Sequence, residues 1–233
     1  MSKLDLNLNA RIVTVGPSHH GKTTLTRAIA KATSSPVNRS SWKIWSPASR
    51  IREVSYSTEH FAVEHLDATS EHDDLRWTLN KRNPSGALVI VSATDRWEES
   101  LVKQLDLIIA AGVDVVAAVV NKVDSASNSQ IETAVSRLRE SFDLVKLEHP
   151  AIIRLSAKNA VEGDPEALES VRSLLYAEDL SMIESRGMKA SSVIEAALVA
   201  GLRSEVLRKR RDGEDAAFYE NGQIVTVRSH DLR

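Results

Sequence analysis

The sequence predicts a doubly wound α/β domain with a mostly parallel sheet, one antiparallel edge strand and a C-terminal helical extension. Three observations carry that prediction. Short β-branched apolar runs alternate with amphipathic stretches of helical spacing from residue 11 to about residue 180. Two of the runs, ALVIVSA (87–93) and VDVVAAVVN (113–121), are continuously apolar, as strands buried on both faces require. Two further strand-like segments, at 53–57 and 61–67, are joined by too few residues for a crossover, so they should pair antiparallel.

In chain order, RIVTV (11–15) is the first strand, and a helix begins near Gly21. EVSYS (53–57) and FAVEHLD (61–67) alternate in the manner of strands across a polar turn. ALVIVSA is the next strand. EESLVKQLDLIIAAG has apolar residues at helical spacing and closes on Gly112, a C-cap residue. VDVVAAVVN then forms a strand, and NSQIETAVSRLRESF an amphipathic helix. AIIRLSA (151–157) is expected as another strand, and DPEALESVRSLLYAE as a helix with Pro165 in its first turn. Residues 1–180 thus make one domain. Residues 181–233 differ in character: a long helix ends in basic residues and breaks at Asp212-Gly213, and GQIVTVRS (222–229) has the pattern of a terminal strand.

A chain of 233 residues accommodates one large domain, or one domain with an appendage. The net charge of −2 creates no bulk electrostatic demand for nucleic acid or an anionic membrane. The absence of cysteine excludes disulfides, thiolate metal sites and a cysteine nucleophile. The start MSKLDLNLNA has no apolar core of signal-peptide type, and no apolar run is long enough to span a bilayer. No membrane association and a cytoplasmic location are expected.

Gly16 to Thr23, GPSHHGKT, fits the phosphate-loop pattern G-x-x-x-x-G-K-[ST] in the required context, after a strand and opening a helix. A glycine-rich turn with a chance lysine is the plainer reading, and that context argues against it. Glycines let backbone N–H groups turn inward around phosphate oxygens. Lys22 reaches the β- and γ-phosphates as a point charge, and the Thr23 hydroxyl ligates Mg²⁺. Gly16, His19, His20, Gly21, Lys22, Thr23 and Thr24 are the predicted phosphate-side contacts, which makes the sheet one of P-loop NTPase type.

VVNKVD puts Asn121, Lys122 and Asp124 at the end of a strand, where open α/β sheets bind ligands. The Asp124 carboxylate is acceptor-only and takes two bonds from the N1–H and amino group of guanine, a donor pair adenine lacks. The Lys122 stem can lie over the base plane. A polar turn is the plainer reading of this stretch. The phosphate loop upstream decides for guanine by consistency across levels. LSAKN adds Ser156, Ala157 and Lys158 at another strand end, where a backbone N–H would meet the guanine O6.

At these residues the chain resembles the GTP-binding domain of the translation factors, of elongation factor Tu type. GPSHHGKTTLTRAIA is similar to the family's G-H-V-D-H-G-K-T-T-L-T, and HLDATSEHDDL lines up with its H-V-D-C-P-G-H-A-D-Y. GALVIVSATD and the strand ending in NKVD match further motifs, and the likeness covers roughly residues 8–180. It implies a GTP/GDP-operated switch with Mg²⁺, in which Asp67 orients a metal-bound water. The family's tRNA-carrying β-barrels have no room in the residues that remain, so delivery of tRNA by this chain alone is not expected.

The resemblance fails on the γ-phosphate side. Ser70 replaces the family's glycine, and Glu71 the histidine that positions the attacking water, with His72 one place later. Glu71 and His72 are the candidate catalytic residues. Both equally fit exposed positions in a helix's first turn, where acidic residues favour the dipole. An ungapped count places Ala48 where the family's Mg²⁺-binding threonine belongs, with Ser46 and Ser49 nearby. Trp42, Trp45 and Trp77 flank the switches, as core packing or as a partner surface. Slow hydrolysis is expected, with a non-hydrolysing GTP/GDP-binding adaptor acting through the C-terminal helix as the alternative. A protein partner would dock on the switches or on that helix. The basic run Arg208 to Arg211 has the charge to contact nucleic acid and equally suits a solvated helix end.

Overall fold

The computed structural model describes residues 8–33, 52–58, 61–68, 70–185, 216–220 and 223–227. The chain divides into two compact units, residues 1–182 and 183–233.

In the first unit, β1 (Leu8–Val15), β2 (Arg52–Ser57), β3 (Phe61–Asp67), β4 (Gly86–Ser92), β5 (Val115–Asn121) and β6 (Ile152–Arg154) form a six-stranded sheet in the order β2-β3-β1-β4-β5-β6. Every pairing is parallel except that of β2 with β3. The fold is therefore the expected α/β sheet with one antiparallel edge strand. β1 lies between β3 and β4, where the strand order reverses, and the phosphate loop leaves its C-terminal end at that switch point.

The helices are α1 (Lys22–Ala32), α2 (His72–Arg82), α3 (Glu98–Ala110), α4 (Asn128–Leu144), α5 (Ala157–Glu162) and α6 (Pro165–Ser185). One sheet face, with Val13, Val15, Val89, Val91 and Val120, packs on Leu75, Leu101, Leu105, Leu138 and Phe142 of α2, α3 and α4. The alternate residues Ile12, Leu88 and Ile90 are buried on the opposite face. This two-sided burial is why β4 and β5 lack polar alternation. α3 ends as its Gly112 predicted: Gly112 is left-handed, its N–H meets Ile109 O at 2.9 Å and Val113 N–H meets Ile108 O at 3.1 Å. α4 starts with a reciprocal capping box between Ser127 and Gln130.

Two elements differ from the sequence expectation. β6 is short, because the Ser156 hydroxyl accepts the Asn159 N–H at 3.1 Å and starts α5 at Ala157. The segment 151–157 is thus strand, cap and helix in turn. α6 also runs further than its predicted stretch, to Ser185.

Two polar systems cross the sheet. On one edge, Arg82 bridges Glu53 and Glu64, and Arg11 binds Glu64 and the Arg82 carbonyl, which keeps the buried Glu53 paired. On the face opposite α3, a buried chain runs from Thr14 through His65 and Tyr56 to Glu178 of α6. The Tyr56 hydroxyl lies 3.3 Å from both His65 Nδ1 and Glu178 Oε2. Burial lowers His65 to about 4 and pushes Glu178 up to about 8, with Asp179 adding to the latter. Glu178 Oε1 has no hydrogen-bond partner among the described residues, as a neutral carboxyl tolerates better than a charged one.

In the second unit, β7 (Ala216–Glu220) pairs antiparallel with β8 (Gln223–Val227). β8 is the terminal strand that the sequence predicts, and β7 is a partner that the sequence pattern does not announce. Glu220 stands opposite Gln223, and the connecting Asn221-Gly222 is a favoured two-residue hairpin sequence. The predicted long helix and the basic run Arg208 to Arg211 lie outside the described residues. Among those described, no helix is long and apolar enough to cross a membrane.

Candidate nucleotide site

The phosphate loop takes the shape its glycines allow. Gly16 has φ +150°, and a Cβ there would stand 2.1 Å from the Ile90 carbonyl oxygen of β4. Gly21 has φ +97°, and a Cβ there would meet Asn121 Nδ2 at 2.2 Å. His19 is left-handed as well, at φ +66°. Left-handed residues curl the chain so that successive N–H groups converge, which is how an anion is cradled. His19 is exposed, whereas His20 is buried and fastens the loop to the sheet. Its Nδ1 accepts the Ser92 N–H of β4 at 2.9 Å, and its carbonyl accepts from Asn121 Nδ2 at 2.9 Å. Burial lowers the His20 pKa to about 4, so the ring is neutral and Nδ1 stays an acceptor.

Lys22, the first residue of α1, is buried. Its ammonium donates to Gly16 O at 2.8 Å, to Pro17 O at 2.9 Å and to the Ser70 hydroxyl. Burial lowers its pKa to about 8, while Asp67 acts to raise it. The Thr23 hydroxyl donates to Asp67 Oδ2 at 2.6 Å, bringing together one oxygen from the first turn of α1 and one from the end of β3. Thr24 is half-buried in the first turn of α1.

The base-side residues assemble at the ends of β5 and β6. Asn121 is buried and acts as a joint: besides holding His20, its Oδ1 accepts the Ala157 N–H at 2.9 Å. Ala157 is thus beside the site, with its amide bonded to Asn121. Lys122 is left-handed, and its ammonium donates to Asp95 Oδ2 at 2.8 Å. The Lys122 hydrogen bond holds Asp95 below the usual carboxylate range. Asp124 is exposed, in a 3-10 turn spanning Val123–Ser125. The Ser156 hydroxyl, and after it Ser125, keeps Asp124 low and therefore acceptor-only. Lys158 is exposed in α5 and lies 4.0 Å from Glu162.

On the switch side, Glu71 is the N-cap residue of α2 and His72 its first residue, and both are exposed. Ser70 faces the phosphate loop instead: Ser18 Oγ donates to its hydroxyl at 3.2 Å, and Gln104 Nε2 of α3 donates to its carbonyl at 3.2 Å. Ser46, Ala48, Ser49, Trp42 and Trp45 lie outside the described residues. Trp77 is 38% exposed, which does not suit core packing. Among the described residues the buried tryptophan is Trp97, whose indole N–H donates to Ser92 O at 3.1 Å.

Sequence reasoning did not single out Ser18, Ser92, Asp95 or Gln104. Asp95 had a signal, since it closes the motif GALVIVSATD. Ser92 lies in the same motif and Ser18 within the phosphate loop, whereas Gln104 touches the site through a contact that no local pattern encodes.

A parallel sheet carrying a glycine-shaped loop at its switch point, with a lysine and a threonine opening the next helix, defines a P-loop nucleotide-binding domain. Residues 8–197 match the elongation factor Tu GTP-binding domain family, and the chain belongs to that family. It is therefore a GTP-binding protein of translation-factor type. Among solved structures it is similar to the translation elongation factor SelB from Methanococcus maripaludis, crystallised with the GTP analogue GPPNHP. The identity is 18% and the TM-score 0.55, over 74% of this chain and 34% of that one. At that identity the likeness is one of fold, and this chain spans about a third of the SelB chain.

Proposed function

We propose that this chain is a guanine-nucleotide switch that binds GTP and GDP with Mg²⁺ and hydrolyses GTP slowly. The observation that carries the reading is the Asn121 side chain. It joins the phosphate loop, at His20 O, to the base end, at Ala157 N, so both halves of the site hold one register. Gly16, His19, His20, Gly21, Lys22, Thr23 and Thr24 are assigned to the phosphates. Asn121, Lys122, Asp124, Ser156, Ala157 and Lys158 are assigned to the base. Lys122 would leave Asp95 to cover the ring.

The donor set fits Mg²⁺. Thr23 and Asp67 present two hard oxygens side by side, and Mg²⁺ is commonly held by one or two protein groups together with phosphate oxygens and water. Thr23 would bind the ion directly and Asp67 through water. Bound there, the ion supplies neutralisation of charge between the β- and γ-phosphates.

Slow hydrolysis follows from the groups at residues 70–72. An ionised Glu71 beside the phosphates is disfavoured by like charge, and His72 is exposed on the first turn of α2. Loss of a positioned catalytic group commonly costs about 10²–10⁴ in rate. The same observation supports the second reading, an adaptor that binds nucleotide without cutting it. In either case the switches, and the segment beyond α6, are the proposed route to a protein partner.

Calorimetry with GDP, a non-hydrolysable GTP analogue and ATP, followed by a single-turnover hydrolysis assay, tests the reading. Guanine nucleotides should bind with Mg²⁺ and ATP should not. Asp124→Ala should weaken GDP by about 10-fold to 100-fold, the worth of a hydrogen bond to a charged group. Equal binding of ATP, or no effect at Asp124, would refute it. A hydrolysis rate at or near zero would favour the adaptor, and a fast rate abolished by Glu71→Ala would overturn both versions.

A further inference from the structure

An ammonium group has three N–H donors. In Lys22 two of them are used by the loop's own carbonyls, Gly16 O and Pro17 O, and the third goes to the Ser70 hydroxyl. That third direction is the one a P-loop lysine turns to phosphate. Ser70 reaches it from the segment between β3 and α2, on the side of the site where Thr23 meets Asp67. The β-phosphate belongs within the loop's converging amides, whereas a γ-phosphate projects beyond them towards the end of β3. Ser70 is not there by chance of an exposed rotamer. Ser18 holds its hydroxyl from the loop, and Gln104 holds its carbonyl from α3. The loop and α3 thus fix Ser70 against the phosphate lysine, one through its side chain and the other through its backbone. A glycine at position 70 has no atom with which to make the Lys22 or Ser18 contact.

We infer that the Ser70 hydroxyl is a built-in stand-in for a γ-phosphate oxygen, a latch that makes this chain discriminate in favour of the nucleoside diphosphate. The inference rests on the guanine-nucleotide reading above. GDP fills the loop and leaves the latch closed. A triphosphate has to expel Ser70 from Lys22, and with it the start of α2, before its own oxygen takes the third donor. Ser70 is a specificity-determining residue in this scheme, and the energy of the displaced contact is subtracted from GTP affinity alone.

The test is the ratio of two affinities, GDP and a non-hydrolysable GTP analogue, measured by calorimetry with Mg²⁺ on the full chain and on Ser70→Ala and Ser70→Gly. The wild type should favour GDP. Both variants should bind the analogue about 10-fold more tightly, the worth of one charge-assisted hydrogen bond, with GDP affinity little changed. A merely structural role for Ser70 would move both nucleotides together and leave the ratio alone. An unchanged ratio with binding retained overturns the inference and leaves the functional reading standing. So does weaker analogue binding in Ser70→Ala, which would make the hydroxyl a ligand of the γ-phosphate. Failure of the wild type to bind either nucleotide overturns the functional reading and the latch together.

Discussion

Replacing Glu178 by glutamine tests the buried chain that ties α6 to the sheet. Burial, with Asp179 adding to it, raises this carboxyl from an ordinary 4.5 to about 8. Between those values the folded protein holds a proton that the unfolded chain has released. The stability contributed by Glu178 is therefore complete below about pH 4.5 and is lost as the pH rises through 8. Each unit inside that window costs up to about 1.4 kcal/mol. His65 and His20, lowered from 6.5 to about 4, act in the opposite sense, because there the unfolded chain binds the protons. Their effect is confined to the interval between those two values. Lys22, lowered from 10.5 to about 8, contributes only above its folded value. Among the described residues, the interval from 6.5 to 8 thus isolates Glu178. Urea unfolding across it should show the wild type losing about 2 kcal/mol, from 1.5 pH units at the slope above. Glu178→Gln, which fills the same space without a titratable proton, should be flat over the same range. A wild type that is flat or gains stability there, or a variant that keeps the slope, would refute the assignment of a neutral carboxyl.

Two further outcomes are expected of the loop and its joint. Asn121→Ala leaves His20 O and Ala157 N without their partner, so unfolding should show a loss of about 1–3 kcal/mol for each buried group, together with weakened GDP binding. A variant with wild-type stability and affinity would show that the joint does not hold the site. Gly16→Ala drives a methyl group onto the Ile90 carbonyl, at 2.1 Å and with φ +150°, and should destabilise the fold by about 1–3 kcal/mol. A thermal melt indistinguishable from wild type would contradict the close approach.

Which features were legible in advance follows from their range along the chain. The strands of the sheet announce themselves because burial on both faces demands continuous apolar runs, and β4 and β5 have them. The antiparallel edge follows from the short link between β2 and β3, since parallel neighbours need a longer path. The end of α3 is written in Gly112, the residue that adopts a left-handed cap at least cost. β6 is shorter than its apolar pattern predicts because Leu155 and Ala157 are buried whether in strand or helix, and the Ser156 cap decides between them. The pairing of β7 with β8 is not legible for the opposite reason, since AAFYE carries little periodicity of its own.

The sequence alone determined the sheet, the phosphate loop and the residue types proposed to face a guanine nucleotide, because periodicity, glycine spacing and strand-end motifs are local properties of a chain. Tertiary structure alone decided how those pieces bear on one another. Asn121 bonds His20 across 101 positions and Ala157 across 36, and Ser70 meets Lys22 across 48. Glu178 becomes a neutral acid only because α6 carries it into the interior. Such contacts arise from the order in which strands are laid side by side, and no short stretch of sequence holds that information.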